Sequence, residues 1–141
     1  MSGFLLDTNC ISEVVRARPE SRVLEWLEAV DERLLYLSVL TLGEIRKGVA
    51  GLPQSNRRTH LEAWLEVELQ ARFSGRILPI DAPIADRWGL LAADAKRRGK
   101  ALSTIDALLA ATALHFNLTL VSRNVSDFAH TSLLILNPWE Q

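Results

Sequence analysis

In Gly3-Phe4-Leu5-Leu6-Asp7-Thr8-Asn9, a short apolar run ends abruptly in three polar side chains. An apolar run of this length that stops at turn-forming residues predicts a buried strand. Asp, Thr and Asn often begin helices, since their side-chain oxygens accept hydrogen bonds from the first free backbone N–H groups. We therefore predict a first strand over Gly3–Leu6, followed directly by the start of a helix.

The same alternation of strand and helix continues along the chain. Further strands are predicted at Leu34–Ser38, Ile77–Ile80, Thr119–Ser122 and Ser132–Leu136. Apolar residues at helical spacing predict two helices that start near Pro19 and near Leu40. A polar connector, Gln54–Arg58, follows them. Beyond this connector, three more helices are predicted over Leu61–Phe73, Ile84–Ala95 and Ser103–Phe116. Strands that alternate with helices form a parallel sheet with helices on both faces. The predicted fold class is α/β.

The composition limits the classes of function. A chain of 141 residues with 48% apolar residues fits one domain. Its 16 basic and 17 acidic residues give a net charge of −1, which argues against a protein that coats nucleic acid non-specifically. The single cysteine, Cys10, excludes an intramolecular disulfide, and three scattered histidines do not suggest a structural zinc site. Without an apolar run of ~18 residues or a signal-like start, we expect a cytoplasmic protein with no membrane contact.

Four acidic side chains follow predicted strands or lie near the starts of predicted helices: Asp7, Glu44, Asp106 and Asp127. In open α/β sheets, ligands bind outside the carboxyl ends of the strands. We therefore expect at least three of these carboxylates to converge at one edge of the sheet.

Each acid also has a purely structural explanation. Helix capping explains Asp7 and, together with the serine three residues earlier, Asp106. An ion pair with Lys47 explains Glu44, and an Asx turn explains Asp127. For Glu44 and Asp127 taken singly, the structural explanation is the better one.

The four acids together favour a metal site. A carboxylate beside Leu5 and Leu6 lies next to the core, where an unpaired charge is costly. Several carboxylates in one place repel each other and need a cation to stay ionised. Because only oxygen ligands are available, the expected ion is Mg²⁺ or Mn²⁺ rather than zinc. Such a site suits phosphoryl chemistry, in which the metal activates water and neutralises charge on a phosphodiester.

The sequence also carries the motifs of a known family, in order from the first strand almost to the C-terminus. The motifs Phe4–Asn9, Leu42–Ile45, Ile105–Ala113 and Leu120–Phe128 resemble those of the PIN-domain ribonucleases, and more narrowly those of VapC toxins from toxin–antitoxin pairs. The segment Leu136-Asn137-Pro138-Trp139 is similar to the FitB-like branch. Any single motif occurs by chance, but the ordered set is specific.

This resemblance implies a single PIN domain over 1–141, a three-layer sandwich around a mostly parallel sheet of about four to five strands. It implies an endoribonuclease that depends on Mg²⁺, with Mn²⁺ as a possible substitute, and that hydrolyses RNA phosphodiesters. It also implies a toxin held inactive by a VapB-like antitoxin. The toxin would form a homodimer and would reach DNA only through the antitoxin.

Carried over by motif, Asp7, Glu44 and Asp106 match the family's first three acids, and Asp7 and Asp106 are the expected metal ligands. Many VapC proteins have an acid at position 124, where this chain has Asn124. The fourth catalytic carboxylate is therefore either supplied by Asp127 or absent. The expected supporting residues, which would hydrogen-bond the acids or metal-bound water, are Thr8, Asn9, Ser122 and Asn124.

Two other kinds of function are compatible with parts of this sequence. A HAD-type phosphatase needs a second aspartate at position 9, where Asn9 stands, and the chain contains no GxxxxGK[ST] loop for an NTPase. A non-catalytic subunit that only docks an antitoxin, and assists its repression of transcription on DNA, stays open. Cleavage of RNA in the presence of Mg²⁺ separates that alternative from the nuclease.

Overall fold

The predicted first strand lies at the centre of a five-stranded sheet in the computed structural model, which describes residues 3–140. In chain order, the strands are β1 (Phe4–Leu6), β2 (Leu35–Ser38), β3 (Ile77–Leu78), β4 (Thr119–Val121) and β5 (Ile135–Leu136). They are hydrogen-bonded in the order β3-β2-β1-β4-β5, and every pair is parallel. In this register Leu5 lies between Tyr36 and Leu120. The α/β fold class is confirmed.

Helices connect the strands. They are α1 (Thr8–Ile11), α2 (Ser21–Ala29), α3 (Val39–Ala50), α4 (Asn56–Ala63), α5 (Leu69–Arg72), α6 (Ala82–Arg97) and α7 (Thr104–His115). A π-helical turn, Trp64–Glu68, joins α4 to α5, and 3-10 turns lie at Ser12–Val15, Glu32–Leu34, Val125–Phe128 and Pro138–Glu140. None of the helices over residues 3–140 has the length and apolar character needed to cross a bilayer.

The sheet separates two apolar layers, because successive side chains of a strand point to opposite faces. Leu6 and Val121 pack with Leu65 and Phe73 from the α4–α5 region on one face. Leu5 and Leu120 pack on the other face with residues of α7, which include Leu109, Ala110 and Ala113. All of these side chains are buried, so the sheet is covered on both sides and the three-layer arrangement is confirmed.

The strand order places a crevice beside β1. From β1 the chain passes to β2 on one side, and β4 lies on the other side, so the order of the strands reverses next to β1. Ligands in open α/β sheets bind at such a switch point, outside the carboxyl ends of the strands. The N–H of Asp7 continues the ladder by donating to Val121 O at 2.9 Å. The residues that follow β1 and β4, Asp7 and Ser122, therefore lie side by side.

Some element boundaries differ from the sequence prediction. The segment Gln54–Arg58, predicted as a connector, contains the start of α4, because Ser55 caps the helix by accepting a hydrogen bond from Arg58 N at 3.1 Å. The third strand ends at Leu78 rather than at Ile80, since Pro79 has no N–H to donate to a ladder. The last strand is shorter than Ser132–Leu136 and covers only Ile135–Leu136.

Candidate active site

Asp7 is the most deeply buried acid at this edge of the sheet, with a fractional exposure of 7%. It follows β1 and caps α1, and its Oδ1 accepts a hydrogen bond from Thr8 N at 2.8 Å. Its Oδ2 accepts a second one from Ser122 Oγ at 2.7 Å. Asp7 is therefore a helix cap, as predicted, although α1 has only four residues. Capping does not explain the hydrogen bond from Ser122, because Ser122 follows a different strand, β4. Both oxygens are held in fixed directions.

Burial raises the pKa of Asp7, and the hydrogen bonds from Ser122 and Thr8 only partly offset that rise. The negative charges of Glu44 and Asp106 raise the pKa of Asp7 further. Because like charges raise a carboxyl pKa only when they lie close enough to interact, Glu44 and Asp106 lie within electrostatic reach of Asp7.

Glu44 reaches this edge from the second turn of α3 and is half-buried. Its Oε1 accepts a hydrogen bond from Thr8 Oγ1. Glu44 forms no ion pair with Lys47 within residues 3–140, so the structural explanation for this acid does not hold. Thr8 instead links Glu44 to the turn that carries Asp7.

Asp106 lies in the first turn of α7, which Ser103 caps by accepting a hydrogen bond from Asp106 N at 3.2 Å. The capping prediction for this pair is thus confirmed, but capping is not its only interaction. Burial raises the pKa of Asp106, a hydrogen bond with Ser103 lowers it, and the charges of Asp127 and Glu44 raise it again. Asp106 therefore lies within electrostatic reach of Asp127 and Glu44.

Asp127 and Asn124 occupy the loop after β4, and both are exposed. The charge of Asp127 raises the pKa of Asp106. Asn124 contributes its backbone instead, because its N–H donates to Ser122 Oγ at 3.0 Å and its carbonyl accepts from Asp127 N at 3.2 Å. Of these two residues, Asp127 is the one whose side-chain charge reaches the acidic cluster.

Ser122 is the centre of a polar network at the switch point. Its hydroxyl donates to Asp7 and accepts from Asn124 N at 3.0 Å and from Asn9 Nδ2 at 3.4 Å. A hydroxyl offers one donor and two acceptor positions, so Ser122 uses its full capacity. Asn9 Oδ1 in turn accepts from Arg123 N at 3.3 Å. Asn9 thus contacts Ser122 and Arg123 rather than an acid.

One contact near the site could not be foreseen from the sequence. The guanidinium of Arg123 lies 5.6 Å from the centre of the Trp139 ring, and Trp139 is buried. The sequence places the two residues far apart, and only the return of the chain through β5 brings them together. Arg123 is exposed and lies directly after Ser122 in the chain.

The donor set suits a hard cation. The side chains around Asp7 offer carboxylate, hydroxyl and amide oxygens. The neighbouring negative charges raise the pKa of Asp7 and of Asp106, and a bound divalent ion would reverse that effect. Within residues 3–140, however, no three His, Cys, Asp or Glu side chains are already close enough to hold a metal ion. The carboxylates share one edge of the sheet without being closed into a ligand cage.

The fold and this acidic edge define a class of protein, and comparison with known proteins gives the family. Residues 4–133 match the model of the PIN domain, so the chain belongs to the PIN-domain family. It is 40% identical over 136 residues to the VapC ribonuclease Y4jK of Sinorhizobium fredii, covering 96% of this chain and 97% of that protein. It is 38% identical over 135 residues to toxin FitB of Neisseria gonorrhoeae, covering 96% of this chain and 97% of FitB.

Solved structures agree with this placement. The chain is similar to FitAcB from Neisseria gonorrhoeae with a TM-score of 0.93 and 38% identity, over 98% of this chain and 99% of that one. It is also similar to a chain of FitAB bound to an IR36 DNA fragment, with a TM-score of 0.91 and 37% identity, over 96% and 95% of the two chains. The resemblance to PIN-domain toxins of the VapC and FitB type is therefore confirmed.

Proposed function

We propose that this chain is a VapC-type toxin that cleaves RNA as a Mg²⁺-dependent endoribonuclease, with Mn²⁺ as a substitute ion. The observation that carries the proposal is the buried Asp7 carboxylate, which is oriented by Thr8 and Ser122 and lies within electrostatic reach of Glu44 and Asp106. Membership of the PIN family and the ribonuclease and toxin names of close relatives support it.

In this proposal, Asp7 and Asp106 are the residues that would hold Mg²⁺, and Glu44 and Asp127 complete the catalytic carboxylates. The ion supplies Lewis acidity to phosphodiester hydrolysis and lowers the pKa of water. Ser122 keeps the Asp7 carboxylate in one orientation, and Thr8 does the same for Glu44. Because Asn124 is neutral, Asp127 supplies the negative charge in the loop after β4.

The partners follow from the same relatives. The similar FitAB structure, which is bound to an IR36 DNA fragment, supports a VapB-like antitoxin as the partner of this chain. The net charge of −1 supports contact with DNA through the antitoxin rather than through this chain. A homodimer stays a prediction, and light scattering at micromolar concentration that shows only a 15.7 kDa species would contradict it.

The proposal is tested by incubating the purified chain, free of antitoxin, with single-stranded RNA. We expect cleavage with Mg²⁺ or Mn²⁺ and none with EDTA, and addition of the antitoxin should stop it. If the folded chain cleaves no RNA with either ion, the alternative of a non-catalytic subunit that docks an antitoxin is favoured, and its effect on DNA binding by the antitoxin then becomes the activity to measure.

A further inference from the structure

A cleft of about 820 Å³ opens between α6, the end of α7 and the loop after β4. One wall is apolar and is formed by Leu90, Leu91, Leu102 and Leu114. Leu90 is 68% exposed, so its apolar side chain is open to a ligand in the cleft. Clefts of this volume are large enough to bury most of a small organic ligand.

The rim of the cleft carries both acidic and basic side chains, and two of its cations form no ion pair within residues 3–140. Asp94 is paired with Arg97 at 3.4 Å and with Arg98 at 3.1 Å, so it is not available to the other rim cations. Arg87 and Lys100 also line the cleft, and neither has an ion-pair partner among the residues described here. Asp86, which lies on the same rim, also forms no ion pair within the part of the chain that the structure describes.

Asp127 lies both in the lining of the cleft and within electrostatic reach of the acidic site, where its charge acts on Asp106. A ligand that lies across the carboxylates would therefore extend naturally into the cleft past Asp127. Such a ligand would meet Arg87, Lys100 and the apolar wall of the cleft.

We infer that the cleft binds the single-stranded RNA next to the phosphodiester that is cut, with phosphates at Arg87 and Lys100 and bases against Leu90 and its neighbours. This inference rests on the proposed ribonuclease function. Single-stranded RNA presents phosphates and unstacked bases together, whereas an RNA duplex hides the faces of its bases. The combination of free cations and an exposed leucine wall fits the single strand better than the duplex.

The test measures binding separately from cleavage. Fluorescence anisotropy in EDTA gives the Kd for a single-stranded RNA of about 20 nucleotides, longer than the ~4–16 nucleotides that a single-strand groove covers. The variant Arg87→Ala/Lys100→Ala should bind more weakly. It should also lower the slope of log Kd against log salt by about 1.4, since each phosphate contact to a single strand contributes about 0.7. Leu90→Asn should weaken binding and leave that slope unchanged.

The matched control is Arg18→Ala/Lys96→Ala, which removes the same two charges from exposed positions that do not line the cleft. It should leave the Kd and the slope as in the wild type. Equal slopes for the wild type and both double variants would overturn the inference. So would a Leu90→Asn variant that keeps the Kd but dissociates a dimer in light scattering, because the cleft would then be a contact between copies of the chain.

The same data keep the two proposals apart. If the wild type binds RNA through Arg87 and Lys100 but does not cleave it with Mg²⁺, the ribonuclease proposal is wrong and the cleft inference holds. If the wild type cleaves RNA and the Arg87→Ala/Lys100→Ala variant binds and cleaves equally well, the ribonuclease proposal holds and the cleft inference is wrong.

Discussion

Ser122 Oγ donates a hydrogen bond of 2.7 Å to Asp7 Oδ2, and this bond joins the carboxyl ends of β4 and β1 across the switch point of the sheet. The two residues are 115 positions apart in the chain. Both are buried, so the bond is protected from water and holds the carboxylate in one orientation. It ties the orientation of the proposed catalytic acid directly to the pairing of the two strands.

Ser122→Ala should therefore reduce stability and activity together. The change leaves Asp7 Oδ2, Asn124 N and Asn9 Nδ2 without their common partner, and leaving buried polar groups unpaired costs about 1–3 kcal/mol. The pKa of Asp7 should also rise further, because a hydrogen bond that lowers it is lost. Urea denaturation at neutral pH gives the change in the free energy of unfolding. Ser74→Ala, at an exposed position, is the control. An equal fall in the free energy of unfolding in both variants would contradict the role of Ser122 in holding Asp7.

Thr8→Val tests the link between Thr8 and Glu44. Valine keeps the shape of threonine but cannot donate to Glu44 Oε1, so the free energy of unfolding should fall by about 1 kcal/mol. The rate of RNA cleavage should fall as well, because Glu44 loses its fixed position. Thr8→Ser keeps the hydroxyl and should retain most of the activity. If Thr8→Val cleaves RNA as fast as Thr8→Ser, the hydrogen bond to Glu44 does not matter for the reaction.

Asp127→Asn and Asn124→Ala together decide which residue completes the carboxylate site. The charge of Asp127 reaches Asp106, whereas Asn124 contributes only backbone groups that alanine keeps. Asp127→Asn should lower the rate of cleavage by roughly 10–100-fold, the usual loss when a residue that supports a metal site is removed. Asn124→Ala should stay close to the wild type. The opposite ranking in a cleavage assay would assign the fourth position to Asn124.

The raised pKa values of Asp7 and Asp106 predict a pH dependence in metal-free buffer. A carboxyl group whose pKa is higher in the folded state binds its proton more tightly there than in the unfolded state. The free energy of unfolding therefore falls as the pH rises from the pKa of the unfolded state, about 3.9, to the pKa of the folded state. Above the folded pKa this loss is complete and constant. Asp7→Asn should flatten the dependence, as measured by urea denaturation at several pH values, and Mg²⁺ should stabilise the variant less than the wild type. A pH profile as steep as that of the wild type would contradict the burial argument for Asp7.

The sequence predicts the sheet well because its signals are local. The apolar run before Asp7 and the Ser103 cap before Asp106 each lie within one element, so strand ends and helix starts can be placed from short windows. The placement of acids at those ends then follows from the rule for parallel sheets. The start of α4 was missed because polar residues after Ser55 hide its periodicity.

What the sequence does not predict depends on contacts between distant segments. The bonds from Ser122 to Asp7 and from Thr8 to Glu44 require the strand order and the orientation of α3, which no local pattern contains. The same holds for the stacking of Arg123 on Trp139. The sequence predicts that the site residues lie near one another. It does not predict that Ser122 contacts Asp7, because that contact depends on the pairing of β1 with β4.

In the proposed function, Asp7 serves a metal-dependent cleavage of RNA and is more than a helix cap. Asp7→Asn tests it most directly, because an amide can also cap α1 but lacks the negative charge that a hard divalent ion needs. Glu28→Gln, which removes one carboxylate from an exposed position, is the control, and circular dichroism shows whether each variant is folded. We predict that folded Asp7→Asn has no measurable Mg²⁺-dependent cleavage of single-stranded RNA, while Glu28→Gln cleaves at the wild-type rate. Cleavage by folded Asp7→Asn at the wild-type rate would contradict the account.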